Sequence, residues 1–531
     1  MNTSSEQTSG GALNAAQLRI ISAVIALSFV FSGVLGLLRG VIIGAVFGAG
    51  SLLDAFYAAY RLPEMLFTLV AGGALGSAFI PIFNRFLSNG DESAAWRVAR
   101  ATLTCVTLIA TFISLITAIF AFPIVDRLLI PAADPAQKLL TADLMRIMLI
   151  TVAIFSASGL LMAILNANQR FLAPALAPSM NNIGLMAGAL LLSPSMGIYG
   201  LAWGAVVGAI LHLAVQLPAL RAYRGQLRPS LDLRAAGLGE ILRLMLPRLI
   251  GAAAVQLNFV VNTILASDMT DGSLSALSVA FTLMFVVLGV VAQSAGTAIF
   301  PTLSTFAARG ETENFRNTLA GALRGVLFIS LPATVGLILL SQPLIATLFE
   351  RGEWDAFDTT ATAWALSFFA LGLAAFSLQE LLARAFYALR DTLTPVAIAV
   401  GGMILNVALS LSLISVVRGE VAGQGPHGGL ALANALATMI ESAILWVLLR
   451  RKIGSLHDNV VLMATFKAAL ASVGMGLVVW LALEILPSNL VLIRVLIGSA
   501  VGLVSFGVIA LLLGLPEARS IPQGILRRLR R

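Results

Sequence analysis

From about Ile20 to Leu512 the chain alternates long apolar blocks with short polar breaks. Crossing a bilayer core takes about 20 predominantly apolar residues. On that measure the pattern predicts about fourteen spans, centred roughly on residues 30, 70, 112, 155, 185, 208, 255, 288, 333, 370, 403, 436, 473 and 502. The first block, from about Ile20 to Phe47, reads as one tilted or bent helix. Gly and Pro recur inside several blocks, as membrane helices tolerate where neighbours re-satisfy the backbone. The expected fold is an all-α polytopic membrane protein.

The pattern also repeats itself. "ALGSAFIPIFNRFLSNGD" from Ala74 returns as "SAGTAIFPTLSTFAARGE" from Ser294, with Gly76 on Gly296, Pro81 on Pro301 and Gly90 on Gly310. "LNANQRFLAP", ending at Pro174, matches "FYALRDTLTP", ending at Pro395, and "GLAWGA" from Gly200 matches "GLALANA" from Gly429. The matches keep their order at separations of roughly 220 to 230 residues, which marks a duplication. Each copy holds six predicted spans and so enters the membrane in the same sense. Two such halves are related by an axis along the membrane normal, with a site at their interface near the midplane. The expected organisation is an N-lobe over 19–228, a C-lobe over 229–453, two further spans over 454–515 and a basic tail over 516–531.

Composition agrees: 59% of residues are hydrophobic and 11% charged, against about 25% charged in soluble domains, and mean hydropathy is +0.96. Arginines gather after even-numbered spans, including Arg85, Arg97, Arg100, Arg170, Arg221, Arg228, Arg309, Arg316, Arg390, Arg450 and Arg451. Positive charge stays on the cytoplasmic side, so both termini are expected there. The net charge of +8 is then a matter of topology and gives no argument for nucleic acid. The polar segment 1–18 reads as a disordered cytoplasmic N-terminus, not a signal peptide. No GxxxxGK[ST] loop is present and the three histidines match no metal-ligand spacing, so no cofactor or metal is expected. With no soluble catalytic constellation, an enzyme is the least favoured class.

Ionisable residues inside spans are costly, and so are functional candidates. Arg39, in "VLGLLRGVIIGAVFGAG", could hold phosphate oxygens in a cavity or pair with Asp54 across the turn after span one. Asp54 could instead cap the helix that follows it. Arg61 and Glu64 could pair around a Pro, and Glu380 and Arg384 four apart within a span. Glu441 is an isolated acid and, with Glu380, a candidate coupling group. Asn166, Asn168 and Asn182 suit bonds to backbone or neighbouring helices.

At these residues the chain resembles the MurJ/MviN family of lipid II flippases, within the multidrug/oligosaccharidyl-lipid/polysaccharide exporter superfamily. The resemblance runs along nearly the whole chain and is clearest in "FGAGSLLDAFYAAYRLP", "LNANQRFLAPALAPSMNN", "AGTAIFPTLSTFAARG", "LFERGEWDAFDT" and "FYALRDTLTP". It implies fourteen helices, two lobes facing each other in a V, and a groove on the last two helices for an undecaprenyl tail. It implies a lipid-linked oligosaccharide substrate, carried from the inner to the outer leaflet of the bacterial cytoplasmic membrane, and cell-wall synthesis proteins as partners.

The resemblance carries over cavity arginine Arg39 and the first-loop acid Asp54, and the reading adds Arg61 and Arg384 as substrate-binding candidates. Other charged positions of the family fall here on Gly33, Phe67, Gly72 and Thr282, with neighbouring acids on Phe281 and Phe285. A diphosphate taken out of water needs compensation, since an unpaired buried charge costs several kcal/mol. Three readings follow: lipid II with Arg61, Arg384 or bound cations compensating; a less charged polyprenyl-linked glycan or lipid; or a non-transporting scaffold of wall synthesis. A cation-coupled drug exporter of the same superfamily would need a membrane acid, for which Asp54, Glu380 and Glu441 are candidates.

Overall fold

The computed structural model describes residues 15–519 apart from positions 72, 224 and 420. Among the described residues there are helices and no strand. In chain order, a first group comprises α1 (Ala15–Phe47), α2 (Ser51–Ala71), α3 (Gly73–Ser88), α4 (Glu92–Ile119), α5 (Pro135–Ala167), α6 (Leu172–Ala187) and α7 (Ile198–Ala214). A second comprises α8 (Leu238–Ala266), α9 (Ser273–Leu288), α10 (Ser294–Arg309), α11 (Thr312–Phe349), α12 (Ala356–Leu371), α13 (Leu373–Ala388), α14 (Leu393–Leu413) and α15 (His427–Ile453). Two last helices, α16 (Asp458–Ile485) and α17 (Val491–Leu512), lie on α11.

Ten described helices are long and apolar enough to cross a membrane, or eleven with α12 and α13 counted as one span bent by 47°. The centres expected near 30, 70 and 255 fall within α1, α2 and α8, so all the expected centres are helical. The first block is a single helix of 33 residues. Gly72 and the segments 1–14 and 520–531 lie outside the described residues.

Each sequence repeat is also a repeated geometry. At the end of α3 the Asp91 amide donates to the Phe86 carbonyl (3.1 Å) and the Gly90 amide to that of Leu87 (3.1 Å); at the end of α10 the Glu311 amide donates to Phe306 (3.0 Å) and that of Gly310 to Ala307 (3.2 Å). This crossed pair of bonds satisfies helix-end carbonyls and needs a left-handed residue. Gly90 and Gly310 supply it, at φ 77° and 70°, where a Cβ would be strained. The same closure ends α5 and α13, with Gln169 (φ 59°) and Arg390 (φ 61°) in the left-handed position. Only three described non-glycine residues have positive φ, and two of them occupy this one duplicated site. Gly200 and Gly429, which open the third match, each press on the backbone at the end of the preceding helical segment.

Close packing inside each group uses small residues. Gly184 and Gly188 of α6 and its continuation face Gly204 and Gly208 of α7 so tightly that a Cβ on any of them would strike the opposing backbone, as glycine-lined membrane helix pairs do. The α16–α17 pair has its own core, Ala468, Met475, Val479 and Phe506 with Leu340 of α11. Its outer side is apolar and exposed, with Phe466 66% and Leu503 76% accessible.

Candidate functional site

A cavity of about 510 Å³ lies between the two groups, walled by α1, α2 and α6 on one side and α8, α9, α12 and α15 on the other. This is within the range of ligand sites, about 300–1,000 Å³. Arg39 lines it. Its Nη1 donates to Asn182 Oδ1 (3.0 Å), and Asn182 Nδ2 donates to the Ser32 carbonyl (3.3 Å). Asn182 thus orients the guanidinium, whose other N–H groups make no hydrogen bond among the described residues. The ion pair between Arg39 and Asp54 does not form.

Arg61 also lines the cavity, and it bridges the two groups. Its Nε donates to Thr263 (3.3 Å), its Nη2 to Ser278 (3.1 Å) and its Nη1 to Glu64 (3.3 Å). The guanidinium sits 5.4 Å from the centre of the Phe259 ring, a cation–π distance. The expected Arg61–Glu64 pair is present beside Pro63, but it is one contact among four. Among the described residues, the charged lining is two arginines against one carboxylate.

Gly33, Phe67, Phe281, Thr282 and Phe285 all line the cavity. At these five wall positions the resemblance places charge, and here they carry none. Phe281 stacks on Phe285 (5.8 Å between centroids) and meets Phe259 and Phe369 edge-on (both 5.4 Å). Gly33 faces open space, with nothing within 4 Å of where its Cβ would stand.

Asp54 is corrected in position and in partner. It is buried away from the cavity lining and does not cap its own helix. Its Oδ2 accepts from the Gly272 amide (2.7 Å), and its Oδ1 from the Ser275 amide (2.7 Å) and hydroxyl (2.6 Å). It caps α9, a helix of the other group, where free N–H groups and the helix dipole favour a carboxylate. The α1–α2 turn beside it is held across the same boundary. The Ala49 amide donates to Asp358 (2.8 Å), and the Glu353 amide donates to the Ala45 carbonyl (2.9 Å). The α1–α2 turn is thus held by hydrogen bonds to the second group.

Arg384 and Glu380 form the within-helix pair (2.7 Å). Neither lines the cavity, so the expectation that Arg384 adds a cation there is not met. Arg384 Nη1 donates to the Gln293 carbonyl (3.0 Å) and to Thr297 (2.8 Å), passing over Gly296. In the other copy the same neighbours are Gly76 and Ala163, so a contact that is apolar in the first copy is polar in the second. Glu441 is also apart from the cavity and accepts a bond from Gln379 Nε2 (2.5 Å). The wall residues Tyr57, Tyr60, Phe259 and Asn434 were not anticipated. Tyr57 and Tyr60 share a helix face with Arg61 and Glu64 at spacings of three and four, a signal the periodicity held.

A family model described as "Lipid II flippase MurJ" matches residues 43–501. The chain belongs to the MurJ family. It is 30% identical over 428 residues to the lipid II flippase MurJ of Burkholderia cenocepacia, covering 79% of this chain and 81% of that one. To the probable lipid II flippase MurJ of Thermotoga maritima it is 31% identical over 470 residues, covering 88% and 92%. Among solved structures, a lipid II flippase MurJ in an inward closed conformation aligns with TM-score 0.78 at 26% identity, over 92% of this chain and 99% of the other. An inward-facing multidrug resistance MATE transporter of the MOP superfamily shares the fold, at TM-score 0.66 and 15% identity over 80% and 96%. Within the MurJ family this chain is a multi-pass membrane protein with a cavity between two helix groups.

Proposed function

We propose that the chain is a lipid II flippase. It moves an undecaprenyl-diphosphate-linked peptidoglycan precursor from the cytoplasmic to the outer leaflet by alternating access. Lobes 19–228 and 229–453 rock about the cavity, both termini are cytoplasmic, and the prenyl tail follows α16 and α17 in the bilayer. The observation that carries this reading is the position of Arg39 and Arg61 on one cavity between the two groups.

The latch at Asp54 and the α1–α2 turn closes the outer side, so the headgroup enters from the cytoplasmic leaflet. Arg39, oriented by Asn182, meets the diphosphate. Arg61 exchanges its contacts with Thr263 and Ser278 for phosphate oxygens, which loosens the junction between the lobes as the ligand arrives. An anion leaving a negative-inside cell moves down the potential by about 2.3 kcal/mol per charge per 100 mV, so the cycle needs no nucleotide.

Arg39→Ala should fail to rescue a flippase-depleted strain while its protein level stays normal, with the precursor confined to the inner leaflet in leaflet-resolved labelling. Full growth would remove Arg39 from the mechanism. The charge-poor wall at Gly33, Phe67 and Thr282 favours a second reading, a less charged polyprenyl-linked glycan. Rescue that fails for wild type, with export of such a glycan intact, would select it.

A further inference from the structure

The duplication carries information beyond the cavity. Ser158 lies 16 residues before Pro174, and Gln379 lies 16 before Pro395. His212 lies 12 after Gly200, and Glu441 lies 12 after Gly429. The helices agree with that register: α5 and α13 end at Ala167 and Ala388, and α7 and α15 begin at Ile198 and His427. In the first copy Ser158 Oγ is 2.7 Å from His212 Nδ1. In the second, Gln379 Nε2 donates to Glu441 Oε2 at 2.5 Å. The same two positions are thus hydrogen-bonded in both copies, and in both the partner on the last helix is a titratable side chain.

We propose that His212 and Glu441 are a matched pair of proton-binding sites, one in each half of the transporter. Neither has an ion-pair partner among the described residues. On the helices around Glu441 the titratable or charged groups are Asp358 of α12, Glu380, Arg384 and Tyr387 of α13, and His427, Arg450, Arg451 and Lys452 of α15 itself; α9 and α14 carry none. Around His212 they are Lys138, Asp143 and Arg146 of α5, Asp54, Tyr57, Tyr60, Arg61 and Glu64 of α2, and Tyr199 of α7, with none on α6. None forms a hydrogen bond or ion pair with His212 or Glu441.

The half-buried Glu441 carboxyl has one amide donor and lies against Gly402, and an ionisable group so placed within a span is costly and a functional candidate. Calcium and magnesium take six or more oxygen ligands, which one carboxyl beside one side-chain amide does not supply, and no cluster of three or more His, Cys, Asp or Glu occurs among the described residues. The ligand that fits is a proton, taken up by a Glu441 carboxylate oxygen. In the first copy Gln216 Nε2 donates to Ser158 Oγ (2.7 Å), leaving the Ser158 hydroxyl to donate to the ring. A proton taken up by His212 makes both ring nitrogens donors, and that hydroxyl must turn to accept.

His212 lies one layer from the cavity, and Glu441 lies farther along a wall helix. His212 meets the Phe155 ring edge-on (5.1 Å), and Phe155 contacts Phe67 of the cavity wall (4.5 Å). Glu441 is on the helix face of Asn434, two turns and about 10 Å along α15, and Asn434 is a wall residue. Protonation of His212 can therefore reach the wall through packed rings, and that of Glu441 only through α15 itself.

The inference rests on the transport reading, and its test separates the two. The full chain in lipid nanodiscs is titrated by infrared difference spectroscopy without substrate, then assayed in proteoliposomes holding lipid II across a range of pH. Glu441→Gln keeps a side chain that can bond Gln379, and should lose one titrating carboxyl band; His212→Asn should lose the imidazole signal. Each should flatten the pH profile of transport. Glu441→Asp, which keeps a carboxyl, should restore both, and Gln379→Ala should shift the carboxyl titration without abolishing it. Unchanged infrared titrations, or an unmoved pH profile in well-folded variants, would reduce these pairs to helix-packing contacts and overturn the proposal. Lost titrations with a wild type that moves no lipid II would instead overturn the flippase reading and leave the proton sites standing.

Discussion

Asp54→Ala removes the carboxylate that caps α9 from the opposite group. Three donors converge on it at 2.6–2.7 Å. Hydrogen bonds to charged groups contribute about 1.5–3 kcal/mol each, but three bonds to one carboxylate do not add, because water would re-solvate α9 once the latch opens. A loss of about 3 kcal/mol is the reasonable scale, above the ~1 kcal/mol typical of an ordinary cap. Both helices also pack within their own groups, so this loss falls mainly on the equilibrium between latched and unlatched states. At 1.36 kcal/mol per decade it raises the unlatched fraction about 150-fold. Ala49, 5% exposed in the latched turn, reports that fraction. With Ala49→Cys in a Cys105→Ser background, an impermeant maleimide added from outside should react about 150-fold faster in Asp54→Ala, up to the limit set by a fully open state. Asp54→Asn, which keeps an acceptor but loses the charge, should fall between. A labelling rate in Asp54→Ala no faster than in the parent would refute the latch.

Gly33→Arg places a guanidinium where the wall is open, and one added charge-assisted contact of about 1.5–3 kcal/mol should tighten undecaprenyl diphosphate binding by roughly tenfold to a hundredfold in native mass spectrometry; unchanged affinity would mean the cavity does not hold the diphosphate. Outside the spans, the Lys452 ammonium at 2.6 Å holds the Asp391 carboxyl down at about 2, below an ordinary value of about 3.9. The stabilisation is complete above that ordinary value and is lost as pH falls through the lowered one. The thermal midpoint of the wild type should therefore drop relative to Asp391→Asn between about pH 4 and 2, and parallel curves for the two would remove the ion pair from the stability of that loop.

How much of this molecule was legible in advance follows from the range of each interaction. Apolar blocks announced helices because a backbone in hydrocarbon must bond to itself. The stretches ending at Gly90 and Gly310 announced helix ends because the closing bonds span only six residues, whereas the repeated "NQR" and "LRD" segments announced a duplication without showing that helices end there. Glu380 and Arg384 announced each other from one helix turn apart. Arg39 was legible as costly, and its cost is met in the cavity. The partner of Asp54 was not legible, since Gly272 and Ser275 lie more than 200 residues on and any helix start would attract a carboxylate equally. Nor could a string of residues tell that Arg61 reaches Thr263 and Ser278, that Arg384 turns away from the cavity, or that Phe281 meets Phe259 and Phe369 edge-on. Local hydrogen bonding and periodicity are written along the chain; which helix stands beside which is settled by packing over the whole bundle, and the site exists only where two groups meet.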